Sequence, residues 1–238
     1  MSNRKDRPRL GGLLVAGAKA LDCPLTDLQV DQFLIYFHEL VEWNQRVNLT
    51  AITDEDEIIE KHFLDSLAGL KAIDRQAGKP LLDIGTGAGF PGLPLKIGFP
   101  EIPVSLLESS QKKAAFLYHI IGKLHLTGAV VLNQRVEKLA EQGRRYDWIV
   151  ARAFAKKETV LEKALGLLAH DGKLILYQSG TEVAVPFQSQ YESESVIPYE
   201  LPFSKVPRRL EVFRRFLDRP TTMFHVEHQS ADSIKKRT

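Results

Sequence analysis

The feature that most constrains this chain is a short apolar run that ends in an acid and breaks into glycine. Pro80-Leu81-Leu82-Asp83-Ile84 is followed by Gly85-Thr86-Gly87-Ala88-Gly89. An apolar run this short, bounded by turn residues, reads as a buried strand rather than a helix. The glycines permit backbone angles closed to other residues and let a ligand lie against the main chain. A helix around Leu93 to Ile97 should follow and offer free amides at its start.

Strands and helices then alternate. Strands are expected at Val104 to Leu107, Ala129 to Leu132, Asp147 to Val150 and Lys173 to Tyr177. Between them fall a helix from Gln111 to about His125, with Ser109 and Ser110 as candidate caps, and a short helix from Val136. A third runs from Thr159 to Ala169, closed by Asp171-Gly172. This order predicts an α/β fold with a mostly parallel, doubly wound sheet. Glu194 to Glu200 and Leu210 to Leu217, with Pro202 and Pro207 between, read as an antiparallel hairpin on the sheet edge.

Upstream of the glycine turn the period is helical. Leu10, Leu13, Leu14, Ala18 and Leu21 share one face of a first helix, although Arg4 to Ala18 also imitates a weak signal peptide. Leu25 to Arg46 forms a second, with Leu28, Phe33, Leu34, Phe37, Leu40 and Val41 at helical spacing. Thr53 with Asp56 reads as a capping-box-like start to a third, which carries Ile58, Ile59, Phe63, Leu67 and Leu70. The expected organisation is a helical extension over 1–78, a ligand-binding domain over 79–220 and a basic, mobile tail over 221–238.

The ligand follows from the turn. Gly87-Ala88-Gly89-Phe90-Pro91-Gly92 fits the G-x-G-x-x-G pattern of dinucleotide sites, which alone is a weak match. Pro91 removes an amide that would face a pyrophosphate. Asp83, at the strand end, suits the ammonium of a bound amino acid. Glu108 ends the second strand about 20 residues past the loop, where an acid can grip ribose hydroxyls. S-adenosylmethionine has an ammonium, a ribose and a sulfonium, and no pyrophosphate. Methyl donor is therefore preferred over nicotinamide dinucleotide, with Asp83, Gly87, Gly89 and Glu108 as cofactor contacts.

With 44% hydrophobic residues, the chain can bury a sizeable core. Cys23 is the single cysteine, so no internal disulfide is possible and a cytoplasmic location is expected. No apolar run approaches the roughly 20 residues that span a bilayer. The net charge of +2 is small. Basic residues nevertheless gather at both termini, at Lys112-Lys113, at Arg144-Arg145, at Lys156-Lys157 and along Lys205 to Arg215. Such clusters can make a basic face on a nearly neutral protein. His225-Val226-Glu227-His228 is not H-E-x-x-H, and no metal is expected.

The run Leu81 to Leu95, LLDIGTGAGFPGLPL, closely resembles the small-subunit ribosomal RNA methyltransferase G family, also called glucose-inhibited division protein B. Trp43-Asn44 with Asn48-Leu49-Thr50, His62-Phe63-Leu64-Asp65-Ser66, Arg135-Val136-Glu137 and Ala151-Arg152-Ala153-Phe154-Ala155 resemble further segments of that family. The resemblance covers roughly Asn44 to Gly180. It implies a Rossmann-like class I methyltransferase sheet and N7 methylation of a guanosine in 16S rRNA, free or in the small subunit. It also implies cofactor contacts from Gly85, Phe90, Val136, Glu137 and Arg152, with Val136 and Glu137 beside the adenine. Glu108 at the ribose and Asp83 near the methionine end rest on fold geometry instead.

Guanine N7 has an exposed lone pair and no proton, so the transfer needs no general base, and none is evident. Catalysis is expected to be positioning and exclusion of water, with Arg152 as the catalytic candidate between cofactor and substrate. The competing reading of Arg152 is a structural ion pair with Asp83 or Glu108. Phe154, Phe90 and Trp43 are candidates to stack on the target base. Lys112, Lys113, Arg144, Arg145 and Arg208 to Arg215 are candidates for phosphates. His62 and Asp65, three apart on a helix, suggest a structural hydrogen bond or a substrate-side contact. The alternatives are a small-molecule or protein methyltransferase, a non-catalytic RNA-binding protein on the same fold, and a nicotinamide oxidoreductase. A monomer is expected.

Overall fold

A computed structural model describes residues 7–75, 78–152, 157–180 and 191–215. Its centre is a seven-stranded sheet of order β3-β2-β1-β4-β5-β7-β6. The strands are β1 (Leu81–Ile84), β2 (Val104–Leu107), β3 (Ala129–Leu132), β4 (Tyr146–Arg152), β5 (Leu168–Ser179), β6 (Tyr191–Glu200) and β7 (Pro207–Arg215). The first five are parallel, while β7 enters antiparallel between β5 and β6. The strand order reverses between β1 and β4. In open α/β sheets a crevice forms at that point, at the carboxyl ends of the strands. It falls beside the glycine turn after Ile84 and beside Arg152.

Alternation along the strands builds two cores. Leu81, Val104, Leu106, Trp148, Val150, Ile175, Leu210 and Val212 face the N-terminal helices and the two helices that follow β1 and β2. Leu82, Ile84, Leu107, Ile149, Leu174, Leu176 and Phe213 face the opposite layer. That layer contains α7 (Val136–Ala140) and α8 (Lys157–Leu165). The first layer contains α1 (Gly12–Ala20), α2 (Asp27–Asn44), α5 (Gly92–Gly98) and α6 (Gln111–Lys123). The N-terminal helices thus bury their apolar faces on the sheet itself. Leu10, Leu14, Ala18, Phe33, Tyr36 and Phe37 are all buried there. Gly17 is needed at one contact, where a Cβ would meet Leu64 Cδ1 at 2.2 Å.

The segment between α2 and β1 is a composite helix. It starts as α3 (Glu55–Ile58), widens into π-type turns over Ile59–Leu64, returns to α4 (Asp65–Leu67) and tightens over Ala68–Lys71. Its cap differs from the sequence reading. Asp54, not Thr53, has extended backbone and accepts the Glu57 amide at 2.9 Å. The widened π turn is of the kind that concentrates at functional sites. It presents Lys61 and His62 to the cleft, with Asp65 just beyond.

Two other boundaries moved. The helix expected over Thr159 to Ala169 ends at Leu165, and β5 already begins at Leu168. Asp171-Gly172 therefore lies inside the strand, where its register with β4 shifts. A Cβ on Gly172 would sit 2.8 Å from the Tyr146 carbonyl, so glycine permits close approach there instead of stopping a helix. Of the two candidate caps for α6, Ser110 fills the role and accepts the Lys113 amide. The expected tail over 221–238, with its His225 to His228 segment, lies outside the described residues.

Gly92 joins α5 to β1 closely: a Cβ there would meet Leu106 at 2.5 Å and Asp83 Oδ2 at 2.8 Å. Gly92→Ala should destabilise the fold by about 1–3 kcal/mol through overpacking. Urea unfolding followed by circular dichroism measures this, and a midpoint equal to wild type would show the joint to be looser.

Candidate functional site

Two clefts meet at the carboxyl ends of the strands. The first, of about 400 Å³, is lined by Gly85, Glu108, Ser109, Lys113, Val136, Glu137 and their neighbours. The second, of about 610 Å³, runs from Gly85, Thr86, Gly87 and Phe90 to His62, Asp65, Arg152, Tyr177 and Arg208. Gly85 and Lys113 line both.

The glycine turn divides into two kinds of glycine. Gly85, Gly87 and Gly89 all have positive φ, at 69°, 61° and 101°. A Cβ on Gly87 would meet nothing within 4 Å, so its backbone is bare toward the cleft. Gly89 faces inward and lines neither cleft. A Cβ there would strike Leu93 and the Tyr36 hydroxyl, each at 2.5 Å. Gly89 is thus a packing residue that lets the turn settle on α2, where the fully buried Tyr36 donates to the Ala88 carbonyl at 2.5 Å.

Asp83 lies beneath the turn and is fully buried. Its Oδ2 accepts the Thr86 hydroxyl at 2.6 Å and the Gly92 amide at 2.7 Å. Burial pushes its carboxyl up to about 7, against the opposing pull of those two donors. Its Oδ1 has no partner among the described residues. The carboxylate shapes the turn from below and does not line a cleft, unlike the direct ligand contact expected from sequence. Glu108 does line the first cleft. Its two oxygens accept the amides of Gly87 at 3.0 Å and Ser110 at 2.7 Å, tying the glycine turn to the start of α6.

Val136 forms an apolar wall of the first cleft, and Glu137 lies at its rim, paired with Lys163 at 2.9 Å. These residues fit a nucleoside. They supply bare backbone at Gly87, an acid at the end of β2, an apolar wall after β3 and a buried carboxylate under the turn.

Arg152 ends β4 in the second cleft and is held on four sides. One terminal nitrogen donates to the Lys61 carbonyl at 2.9 Å and to Asp65 Oδ2 at 3.1 Å. The other lies 3.2 Å from His62 Nδ1. The guanidinium also lies over the Phe90 ring, 5.2 Å from its centroid. The ion pair weighed for Arg152 from sequence does form, but with Asp65 and not with Asp83 or Glu108.

Arginine can only donate, so His62 Nδ1 accepts. Its Nε2 then carries the proton and donates to the Thr50 hydroxyl at 2.7 Å. The ring stacks on Phe90 at 4.6 Å between centroids and 12° between planes. Burial, reinforced by the Arg152 charge, pushes its pKa down to about 3. Asp65 Oδ1 accepts the Tyr199 hydroxyl at 2.6 Å and lies 3.8 Å from Arg208 Nε. His62 and Asp65 are therefore not bonded to each other; both serve Arg152.

Spacing in the sequence brought His62 and Asp65 to notice, but not their partner, 90 and 87 residues away. Thr50 appeared only as part of the Asn48-Leu49-Thr50 segment of the resemblance, with no role attached, and Tyr177, Tyr199 and Lys61 carried no comparable signal.

Other expectations separate. Trp43 packs on Phe116 and His119 in the α2–α6 contact and lines neither cleft. Asn44 is a loop clip, accepting the Leu49 and Thr50 amides at 2.8 and 3.0 Å. Phe154 and Lys156 lie outside the described residues. Arg144 and Arg145 precede β4, at the end of the sheet away from the clefts. Within Lys205 to Arg215, Arg208 lines the second cleft. Arg209 is instead buried against Glu211, and Arg214 pairs with Glu192 near the far end of β7. Among the described residues there is no cluster that could hold a metal, and no helix is long and apolar enough to cross a membrane.

The strand order, glycine turn and acid at the end of β2 define a class I S-adenosylmethionine-dependent methyltransferase fold. A solved structure of an MtNAS mutant in complex with S-adenosylmethionine shares it, with a TM-score of 0.54, 18% identity, and 88% of this chain and 91% of that one covered. The profile described as rRNA small subunit methyltransferase G matches residues 29–211, and the chain belongs to that family. A ribosomal RNA small subunit methyltransferase G from Caldanaerobacter subterraneus subsp. tengcongensis is 40% identical over 85% of this chain and 89% of its own. One from Chloroflexus aggregans is 46% identical over 68% and 69%.

The shifted imidazole has a measurable consequence. The His62 resonance should not titrate between pH 8 and pH 5 in NMR spectra. The unfolded chain gains that proton near pH 6.5 and the folded one only near 3. Between those values this group costs the folded state up to roughly 1.4 kcal/mol per unit of falling pH. Titration near 6.5 in the folded protein would refute the assigned bonding.

Proposed function

We propose that this protein transfers a methyl group from S-adenosylmethionine to N7 of a guanosine in 16S rRNA. The observation that carries the choice of atom is that, among the described residues, the imidazole and carboxylate of the second cleft are both fully engaged and positioned donors remain. Both His62 nitrogens are engaged, as are both Asp65 oxygens, and the Tyr177 hydroxyl donates to the Ser66 carbonyl. Such a cleft suits a nucleophile that carries no proton. Membership of an rRNA methyltransferase family supports RNA as the substrate.

When bound, S-adenosylmethionine supplies an electrophilic methyl on a sulfonium. Glu108, Val136, Glu137, Gly85 and Gly87 hold the nucleoside part, with Phe90 beside the junction of the clefts. Asp83 stabilises the turn from beneath through the Thr86 hydroxyl and the Gly92 amide. Among the described residues, Arg152 keeps its Nε–H and one terminal N–H without a partner, and these would orient the base. Methylation of N7 leaves positive charge on the ring, which an unpaired cation nearby would oppose. Asp65 neutralises Arg152, so the arginine can position a base without that electrostatic cost. The reaction belongs where ribosomal subunits are, in the cytoplasm, and the protein acts as a monomer.

Asp65→Asn removes the neutralising charge and should lower kcat about 10-fold or more, with cofactor affinity unchanged. Arg152→Lys keeps the charge but loses the planar fork, and should lower kcat about 100-fold. Wild-type kcat in both variants would remove the cluster from the mechanism.

Labelled S-adenosylmethionine incubated with small subunits from a strain lacking the modification tests the whole reading. The expected product is 7-methylguanosine at one 16S position. Label on another nucleotide atom would overturn the assignment, and binding of cofactor without transfer would favour a non-catalytic RNA-binding protein.

A further inference from the structure

The turn joining β6 to β7 lies one step beyond Arg208, at the cleft end of the sheet. Its shape is fixed from four directions. The Leu201 amide donates to the Val206 carbonyl and the Lys205 amide to the Leu201 carbonyl, each at 3.1 Å. The amides of Phe203 and Ser204 both donate to one carboxylate oxygen of Glu60, at 2.7 and 2.8 Å. Glu60 is buried, and a buried carboxylate is costly unless such bonds repay its lost hydration. The same π-type segment that places Lys61 and His62 at the cleft thus also sets the hairpin tip.

What this rigid tip presents is an aromatic ring. Phe203 is 44% exposed, although Leu201 and Pro202 beside it are buried. A lone exposed apolar residue is ordinary on a protein surface. This one is held on an ordered turn by Glu60, next in sequence to Lys61, with further basic residues close by in the hairpin. Lys205 sits two residues on with φ 55°, and Arg208 and Lys61 line the adjoining cleft. A preorganised ring flanked by basic side chains suits single-stranded nucleic acid, whose bases stack on aromatic faces while phosphates meet the cations.

We infer that the β6–β7 tip is a docking element for the RNA substrate: Phe203 stacks on an unpaired base flanking the target guanosine, and Lys205 and Arg208 take the neighbouring phosphates. The inference rests on RNA being the substrate and extends the contact from Arg208, at the edge of the second cleft, to Phe203 and Lys205, which line neither cleft. Its effect is on substrate capture, because the ring lies outside the cleft where the methyl moves.

Phe203→Ala, Lys205→Ala and wild type are compared in methyl transfer to small subunits at several salt concentrations. Tyr118→Ala, which removes an exposed aromatic that lines neither cleft, is the control. Phe203→Ala should raise KM about 10-fold, the scale of one lost base–aromatic stack, with S-adenosylhomocysteine affinity and the salt dependence of KM unchanged. Lys205→Ala should flatten the salt dependence by about one phosphate contact. Phe203→Tyr should restore most of the wild-type KM, which separates stacking from altered folding. Equal KM values for wild type and Phe203→Ala would overturn the docking role while leaving the methyltransferase reading intact. A wild-type protein that transfers no methyl to RNA would overturn both.

Discussion

The clamp on Arg152 is the contact on which the rest of the site depends. It joins the sheet, through the end of β4, to the composite helix between α2 and β1. A guanidinium in so closed a place must be paired, because an unpaired buried charge is strongly destabilising. Pairing it fixes the helix against the sheet and sets the protonation of its neighbours. His62 must present a lone pair to Arg152, so it is neutral and its other nitrogen is committed to Thr50. One ion pair thereby orders the loop after α2, the Phe90 face of the glycine turn and, through Tyr199, the β6–β7 hairpin.

The two ends of the site are built by different physics. The first cleft is made mostly of backbone: positive-φ glycines, amides tied by Glu108 and an apolar wall at Val136. The second cleft is made of side chains that come from distant segments and neutralise one another. Asp65 offsets the charge of Arg152, and both His62 nitrogens are engaged. The result is a polar cleft whose imidazole and carboxylate are both committed to protein partners. The aromatic stack of Tyr36, Phe90 and His62 separates this cleft from the core and gives Arg152 a flat surface to rest on.

The N-terminal helices illustrate how far the site depends on packing outside the sheet. Tyr36 on α2 bonds the Ala88 carbonyl and leaves just enough room for Gly89. Gly17 on α1 lets the composite helix approach. The N-terminal helices and the composite helix therefore form the floor under the glycine turn and one wall of the second cleft.

The sequence by itself determined the α/β alternation, the glycine turn, the acid after β2 and the cofactor class. These depend on neighbouring residues, since strand period, turn chemistry and motif spacing are local properties. Element ends were less legible. Gly172 looks like a helix stop in sequence, yet contact with the Tyr146 carbonyl makes it a strand irregularity. Only the tertiary structure decided what Arg152 binds, that Asp83 and Gly89 support the turn from behind, and that Trp43 is packing. It also showed that Arg144 and Arg145 lie away from the clefts and that the hairpin tip stands beside the site. The physical reason is that charge pairing and burial depend on which segments meet. The partners of Arg152 lie about 90 residues away in the chain, where no local period can reveal them.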